Sequence, residues 1–401
     1  MKVFILFFVL CASDFITSCE VNSETDFTFD ELQAELPERA GQIIIQDAEI
    51  IISLPPVTVT SKPAYSLIED NRIYVSLATY WWPDPNSENG LPYVRDDGNV
   101  NPETYSEISD LPRLVEMAKR VELLTDAFEI TLNEIYADKA LEQLRIWFID
   151  PQTAMYPHLE HAQMVKGLNT GRSYGVIDTW LLIRVVESIQ QLKKSGLWTN
   201  EVESGLQRWF THYLNWLRNS EFGQSEMQAK NNHGTWYDLQ VVTFARFVGQ
   251  EDFARDYLIN VTKERISGQI TRSGRQKHET RRTRPLHYSI FNLHALIKLA
   301  LHARELDIDL ENEKRWFSGS IKDAFLCLIT RMDGVDPKNL VKEYDPANTS
   351  QLYRELLHIA ENYSDNLKTE SILCMINPIK LQLNKRFFRQ TLHSDTLNSG
   401  I

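Results

Sequence analysis

The chain of 401 residues is 43% hydrophobic and 10% aromatic, enough apolar material for one large core or two ordinary ones, and it does not have the composition of a disordered polymer. Its net charge of −13 excludes nucleic acid as a partner, because that function needs a basic footprint to displace counterions from phosphate. Cys11, Cys19, Cys327 and Cys374 make no disulfide framework, and no Cys/His spacing suggests structural zinc.

Residues Met1 to Ser18 start with Lys2 and continue through an apolar run from Val3 to Leu10. That run is too short to span a membrane and suits a secretory signal, so export is expected, with residues 1–19 as the leader. Ile16-Thr17-Ser18-Cys19 is similar to the lipobox of bacterial lipoproteins, although Asp14 is awkward there. The similarity implies a periplasmic or outer-surface lipoprotein anchored to the membrane through a lipidated Cys19. Residues 20–30 are acidic and polar and read as a tether, leaving 31–401 as a single domain.

Phe29 to Gln46 suits a first helix, whereas Pro55 and Pro56 forbid a long one over residues 50–60. Arg72 to Leu77 reads as a short strand. Thr79-Tyr80-Trp81-Trp82-Pro83-Asp84-Pro85 then enters a stretch rich in Asn, Gly and Pro that reads as one loop as far as Pro102. Loops of that length are more often functional than idle. From Leu111 the apolar residues recur at helical spacing: Leu114, Met117, Val121 and Leu124, then Leu141 to Phe148, Leu181 to Leu192 and Val202 to Leu217. Further segments follow at Leu239 to Val248, Phe253 to Val261, Tyr288 to Leu306, Ile321 to Ile329 and Leu352 to Ala360. Successive amphipathic helices with short connections pack as antiparallel hairpins, and periodicity alone leaves a closed toroid and an open solenoid equally possible.

Two clusters stand at the starts of apolar helices. One is Asn231-Asn232-His233-Gly234-Thr235-Trp236-Tyr237-Asp238; the other is Arg281-Arg282-Thr283-Arg284-Pro285-Leu286-His287-Tyr288. Between Lys263 and Arg284 the basic residues far outnumber Glu264 and Glu279, which would focus a polyanion on an otherwise acidic protein. Each cluster also has a plain structural reading. The Asn pair could cap a helix, the Arg residues could meet surface acids, and Tyr288 could belong to the core.

The order and spacing of Asn232, His233, Arg281 and Tyr288 resemble the alginate lyase family, in which an Asn-His pair is followed by an Arg seven positions before a Tyr. Ser76 to Pro85, Leu91 to Gly98 and Asn101-Pro102-Glu103 look like that family's N-terminal signature. Asn169-Thr170-Gly171-Arg172 with Gly175 to Thr179 looks like another of its blocks. The resemblance implies an all-α (α/α) toroid of antiparallel helical hairpins behind a short irregular or β N-terminal segment. It also implies a polysaccharide lyase acting by β-elimination on a uronic-acid polymer, alginate first and β-1,4-glucuronan next.

Such an elimination must neutralise the C6 carboxylate, remove the C5 proton and protonate the oxygen leaving C4. Asn232 and Arg281, with a neutral His233, are suited to the first task. Tyr288 is implied as acid and base, alone when the C5 proton and C4 oxygen share a face and with His233 as base when they do not. Neighbouring guanidiniums are expected to lower its pKa from the ordinary value of about 10. Trp81, Trp82, Arg95, Asn169, Arg172, Asn231, Trp236, Arg284 and His287 complete an expected binding surface for the anionic polysaccharide.

No cofactor is expected. His158 and His161 are three apart on a possible helix but lack a third ligand, so no metal is expected either. Two rivals remain open. A glycoside hydrolase would need a carboxylate pair about 5–10 Å apart, drawn from Asp84, Asp178 and Asp238. A non-catalytic glycan-binding surface lipoprotein would keep the Trp and Arg residues without needing Tyr288.

Overall fold

The computed structural model describes residues 41–64, 68–310, 312 and 318–332. The expected leader, tether and Leu352–Ala360 helix lie outside them. Residues 41–51 are helical (α1), and the chain then turns through Pro55 and Pro56 into a 3-10 turn at Val59–Ser61. Lys62 anchors this segment. Its buried ammonium contacts Asp110 at 2.8 Å and donates to the carbonyls of Val59 at 2.8 Å and Asn71 at 2.6 Å, which satisfies the three donors it carries.

The strand expected before Ala78 is β1 (Val75–Leu77), and it pairs in parallel with β4 (His161–Met164). His161 therefore sits on a strand and not on the helix the sequence suggested. The stretch read as one long loop contains a second, antiparallel pair, β2 (Trp81–Trp82) with β3 (Val94–Arg95), in which Trp81 faces Arg95 and Trp82 faces Val94. Its Asn, Gly and Pro residues shape the turns of this hairpin, and their density hid two strands of only two residues each.

The rest is helical and builds the (α/α) toroid. α2 (Leu111–Thr131) and α3 (Glu134–Phe148) are joined by Leu132 and Asn133, and the Asn133 side chain accepts from the Ile135 N–H to start the second helix. So short a link makes the two helices antiparallel neighbours. α4 (Leu182–Leu192) buries Leu182, Val185, Val186, Ile189 and Leu192 along the stripe that its sequence marks out. α5 (Asn200–Asn219) is capped by Thr199, and the short α6 (Glu221–Met227) by Ser220.

α7 (Asn232–Phe247) is buried on nearly every side because α4, α5, α6, α8 (Glu251–Tyr257) and α10 (Pro285–Arg304) all touch it. A π-helical turn at Leu258–Thr262 leads from α8 into α9 (Lys263–Gln269), and α11 (Ile321–Met332) packs on α10. The apolar pattern had marked α7 only from Leu239. Its polar first two turns, Asn232 to Asp238, are helical as well and are buried by the surrounding helices.

Candidate active site

The N-terminus of α7 is held from behind by Arg265. Its guanidinium donates to both Asp238 oxygens, at 2.6 and 2.9 Å, and to the carbonyls of Ala229 at 2.6 Å and Met227 at 2.7 Å. A Cβ on Gly234 would collide with that guanidinium and with the Ala229 carbonyl, so the glycine of the Asn-Asn-His-Gly run allows this close approach. Arg265 thus serves the scaffold and does not face a polyanion as the basic run had suggested. Removing one partner of such a buried pair costs about 3–5 kcal/mol. Arg265→Ala is therefore expected to lower the melting temperature markedly and to loosen the turn that carries Asn232 and His233. An unchanged melting temperature would contradict this.

Two buried carboxylates support consecutive residues of this turn. Glu226, at the end of α6, lies 2.5 Å from Nδ1 of His233. With the Nδ1 proton directed to Glu226, Nε2 is left as a lone-pair acceptor suited to taking a proton. Glu279 accepts from the Asn232 backbone N–H and from its side-chain Nδ2, both at 2.7 Å. Burial raises the Glu279 pKa, against the opposing effects of the two Asn232 donors and the nearby charges of Arg282 and His233.

Glu279 therefore joins the two sequence clusters, since Arg282 in turn donates to the Tyr288 hydroxyl at 2.8 Å. That hydroxyl also bonds Tyr80 at 3.0 Å, and the Arg282 guanidinium lies 3.8 Å from the Tyr288 ring centroid. Burial and then Tyr80 raise the Tyr288 pKa, and Arg282 only partly opposes them. The expected lowering by guanidiniums is thus overturned by desolvation, and Tyr288 is a neutral phenol, the form of a proton donor. Arg281 lies exposed one position earlier, with its charge acting on His278, so the cation bound to Tyr288 is its neighbour Arg282.

The β2–β3 hairpin closes over this pair. Asp97 accepts from Arg282 at 3.1 Å and Thr283 at 3.4 Å, and Arg284 donates to the Gly98 carbonyl at 3.1 Å. Gly98 has φ +88°, and a Cβ there would approach Thr283 Oγ1 to 2.8 Å, so this contact requires glycine. Arg284 is accordingly a clamp on the hairpin.

Among the other expected binding residues, Trp81 is half-buried, with the Arg172 guanidinium 5.6 Å from its ring. Arg172 also lies 5.0 Å from the Tyr174 ring, which stands edge-on to His233 at 5.1 Å. Arg95 is exposed, pairs with Asp97 at 2.7 Å and adds its charge near Arg172. These groups form one wall running from the hairpin to the imidazole.

Trp82 donates to the Asn99 carbonyl, Asn169 accepts from the Val165 N–H, and the Asn231 carbonyl accepts from Gln269, so all three shape turns. His287 stacks on Phe291. Trp236 is 1% exposed among Trp180, Phe291 and His294, and it belongs to the core instead of a sugar-binding face. Of the carboxylates that a hydrolase would draw on, Asp238 is bound to Arg265, Asp178 to Tyr74, Ser76 and Gln163, and Asp84 accepts from Asn86 in an exposed turn.

The residues missed by sequence reading are Glu226, Glu279, Tyr80 and Tyr174. Their only available signals were the proximity of Glu226 to the Asn-His pair and the three-residue step from Glu279 to Arg282. Together the side chains can present an amide and guanidiniums to a carboxylate, an imidazole acceptor to a C–H bond, and a phenol donor to a departing oxygen.

A sequence model of the family described as alginate lyase matches residues 58–339. The solved structure of an alginate lyase from Bacteroides ovatus is 30% identical with a TM-score of 0.78, over 86% of this chain and 90% of that one. Alginate lyase A1-III from Sphingomonas species A1 aligns at 15% identity and a TM-score of 0.46, over 75% of this chain and 79% of that one. Among the curated proteins, none matches.

Proposed function

We propose, on the premise that the chain belongs to the alginate lyase family and is a polysaccharide lyase, that it is exported and cleaves alginate by β-elimination. A uronate carboxylate is neutralised by Asn232 and Arg282, with Arg281 on the rim. The C5–H bond breaks, its electron pair forms the C4=C5 double bond, and the C4–O bond departs with a proton delivered by Tyr288. His233, oriented by Glu226, takes the C5 proton when it lies on the face opposite the leaving oxygen; when the two share a face, Tyr288 must first lose its own proton, and the phenolate then takes the C5 proton and returns it to the C4 oxygen.

The observation that carries this reading is the gathering of three bonded pairs, Glu226–His233, Glu279–Asn232 and Arg282–Tyr288, around Glu279, whose carboxylate is close enough to both His233 and Arg282 to feel their charges. The leader and the lipobox-like Cys19 support export and anchoring.

The test is to incubate the purified protein with mannuronate-rich, guluronate-rich and glucuronate polymers and follow the ultraviolet absorbance of new unsaturated uronides. Absorbance is expected to rise with the alginate polymers and to rise more slowly as salt screens the polyanion. A plain reducing end without absorbance would establish a hydrolase instead. Turnover of the glucuronate polymer alone would replace the substrate and keep the chemistry.

A further inference from the structure

We infer that Asp178 and Gln163 form a positioning relay that fixes Arg172 as the receptor for a uronate carboxylate next to the one undergoing elimination, an inference that rests on the reading of this cleft as a uronate-binding site.

Gln163 is the centre of the relay. It is the third residue of β4 and lies in the left-handed region at φ 49°, a conformation costing a non-glycine residue roughly 1–2 kcal/mol. The surrounding bonds hold it there. Its backbone N–H donates to Ser76 Oγ at 2.7 Å, and Ser76 donates onward to Asp178 Oδ2 at 2.6 Å. Tyr74 donates to the same carboxylate oxygen at 3.2 Å. The other oxygen, Oδ1, accepts from Gln163 Nε2 at 2.8 Å.

Burial raises the Asp178 pKa against the opposing bonds from Gln163, Ser76 and Tyr74, and because both its oxygens accept from those donors, it sets which end of the Gln163 amide faces it. The Nε2 end must turn toward Asp178, and Oε1 is thereby turned toward Arg172. That oxygen accepts from Arg172 Nη2 at 2.9 Å, and the Gln163 carbonyl accepts from Arg172 Nε at 3.1 Å.

These bonds occupy one edge of the guanidinium. Among the described residues, no hydrogen bond is made by Nη1. The guanidinium lies 5.6 Å from the Trp81 ring and 5.0 Å from the Tyr174 ring, in the wall that leads to His233, and Glu226 and Arg95 are close enough to act on its charge. A guanidinium fixed along one edge and open on another is prepared for a carboxylate. Neither Gln163 nor Asp178 faces the reacting atoms, so the relay is expected to act on affinity and leave the chemical step alone.

The test measures polymer affinity by calorimetry, together with kcat and KM, for the full chain and three variants. Gln163→Leu removes the acceptor beneath Arg172 and is expected to weaken polymer affinity and raise KM by roughly tenfold, with kcat within about twofold. Asp178→Asn is expected to act in the same direction, because its amide can donate to Gln163 Oε1 and so turn Nε2 toward the Arg172 donors. Gln163→Glu keeps an acceptor under Arg172 and is expected to restore most of the affinity lost in Gln163→Leu.

Should Asp178→Asn fail to fold, the contrast between Gln163→Leu and Gln163→Glu decides. Unchanged affinity in folded Gln163→Leu would overturn the relay, and so would a fall in kcat at constant KM. Wild-type protein that binds the polymer without producing unsaturated ends would overturn the proposed reaction alone, since the affinity comparison would still test the relay.

Discussion

Tyr288→Phe is expected to lower kcat by roughly a hundred- to ten-thousandfold, the range that a positioned acid or base contributes, while polymer affinity stays close to that of the wild type. The substitution deletes one oxygen. Arg282 keeps its bond to Asp97, and Asn232 keeps both bonds to Glu279, so the groups assigned to the substrate carboxylate remain in place. What disappears is the only proton that this phenol can give to the departing C4 oxygen.

The pH profile of the wild type adds a second reading. Burial raises the Tyr288 pKa above the ordinary phenol range, and an acid is active below its pKa. As donor alone, Tyr288 should therefore cause no alkaline loss of kcat/KM below about pH 10. If the free phenolate must act as base, the rate should instead climb with pH through that interval. A Tyr288→Phe variant that eliminates at near-normal rate would show that the acid is another group.

The second large effect separates two adjacent arginines. Arg282→Ala is expected to cost about a hundred- to thousandfold in kcat, the usual loss when a preorganised donor to developing charge is removed. It also leaves the Tyr288 hydroxyl with Tyr80 and removes one of the bonds that Asp97 makes to this segment. Arg281→Ala, at an exposed position, is expected to act chiefly on KM. Arg282→Lys should recover little, since Nη2 alone holds Tyr288 and Asp97 and the other guanidinium nitrogens, which an ammonium lacks, are what remain for a substrate carboxylate. Steady-state kinetics on one alginate polymer would check this, and a larger kcat loss from Arg281→Ala would reverse the assignment.

That reversal matters because linear spacing favoured Arg281, seven positions before the tyrosine. The chain bends through a 3-10 turn at Glu279–Arg281 before Pro285 opens α10, and the turn directs Arg282 to Tyr288. A repeat interval along the sequence does not reveal such a turn. The helices were legible because Leu182, Val185, Val186 and Ile189 must share a face, and a stripe of that kind survives any detail of packing. Asn232, His233 and Tyr288 stood out as candidates through their neighbours, and the structure brings buried carboxylates and Arg282 to them. Glu226 and Glu279 were not, because an acidic residue looks the same in sequence whether it meets water or a buried imidazole. Trp236 erred the other way: adjacency to His233 suggested the site, but its position on α7 turns it into the core.

The hairpin clamp has a consequence for when this protein becomes an enzyme. The Tyr80–Tyr288 bond joins residues 208 apart in the chain, and the Asp97–Arg282 bond joins residues 185 apart. A polypeptide emerging from the ribosome holds the first member of each pair long before the second exists. The proposed acid and its cation thus cannot be assembled until residues 282 and 288 have been made, and a fragment ending before them is expected to be inert however well its early helices formed.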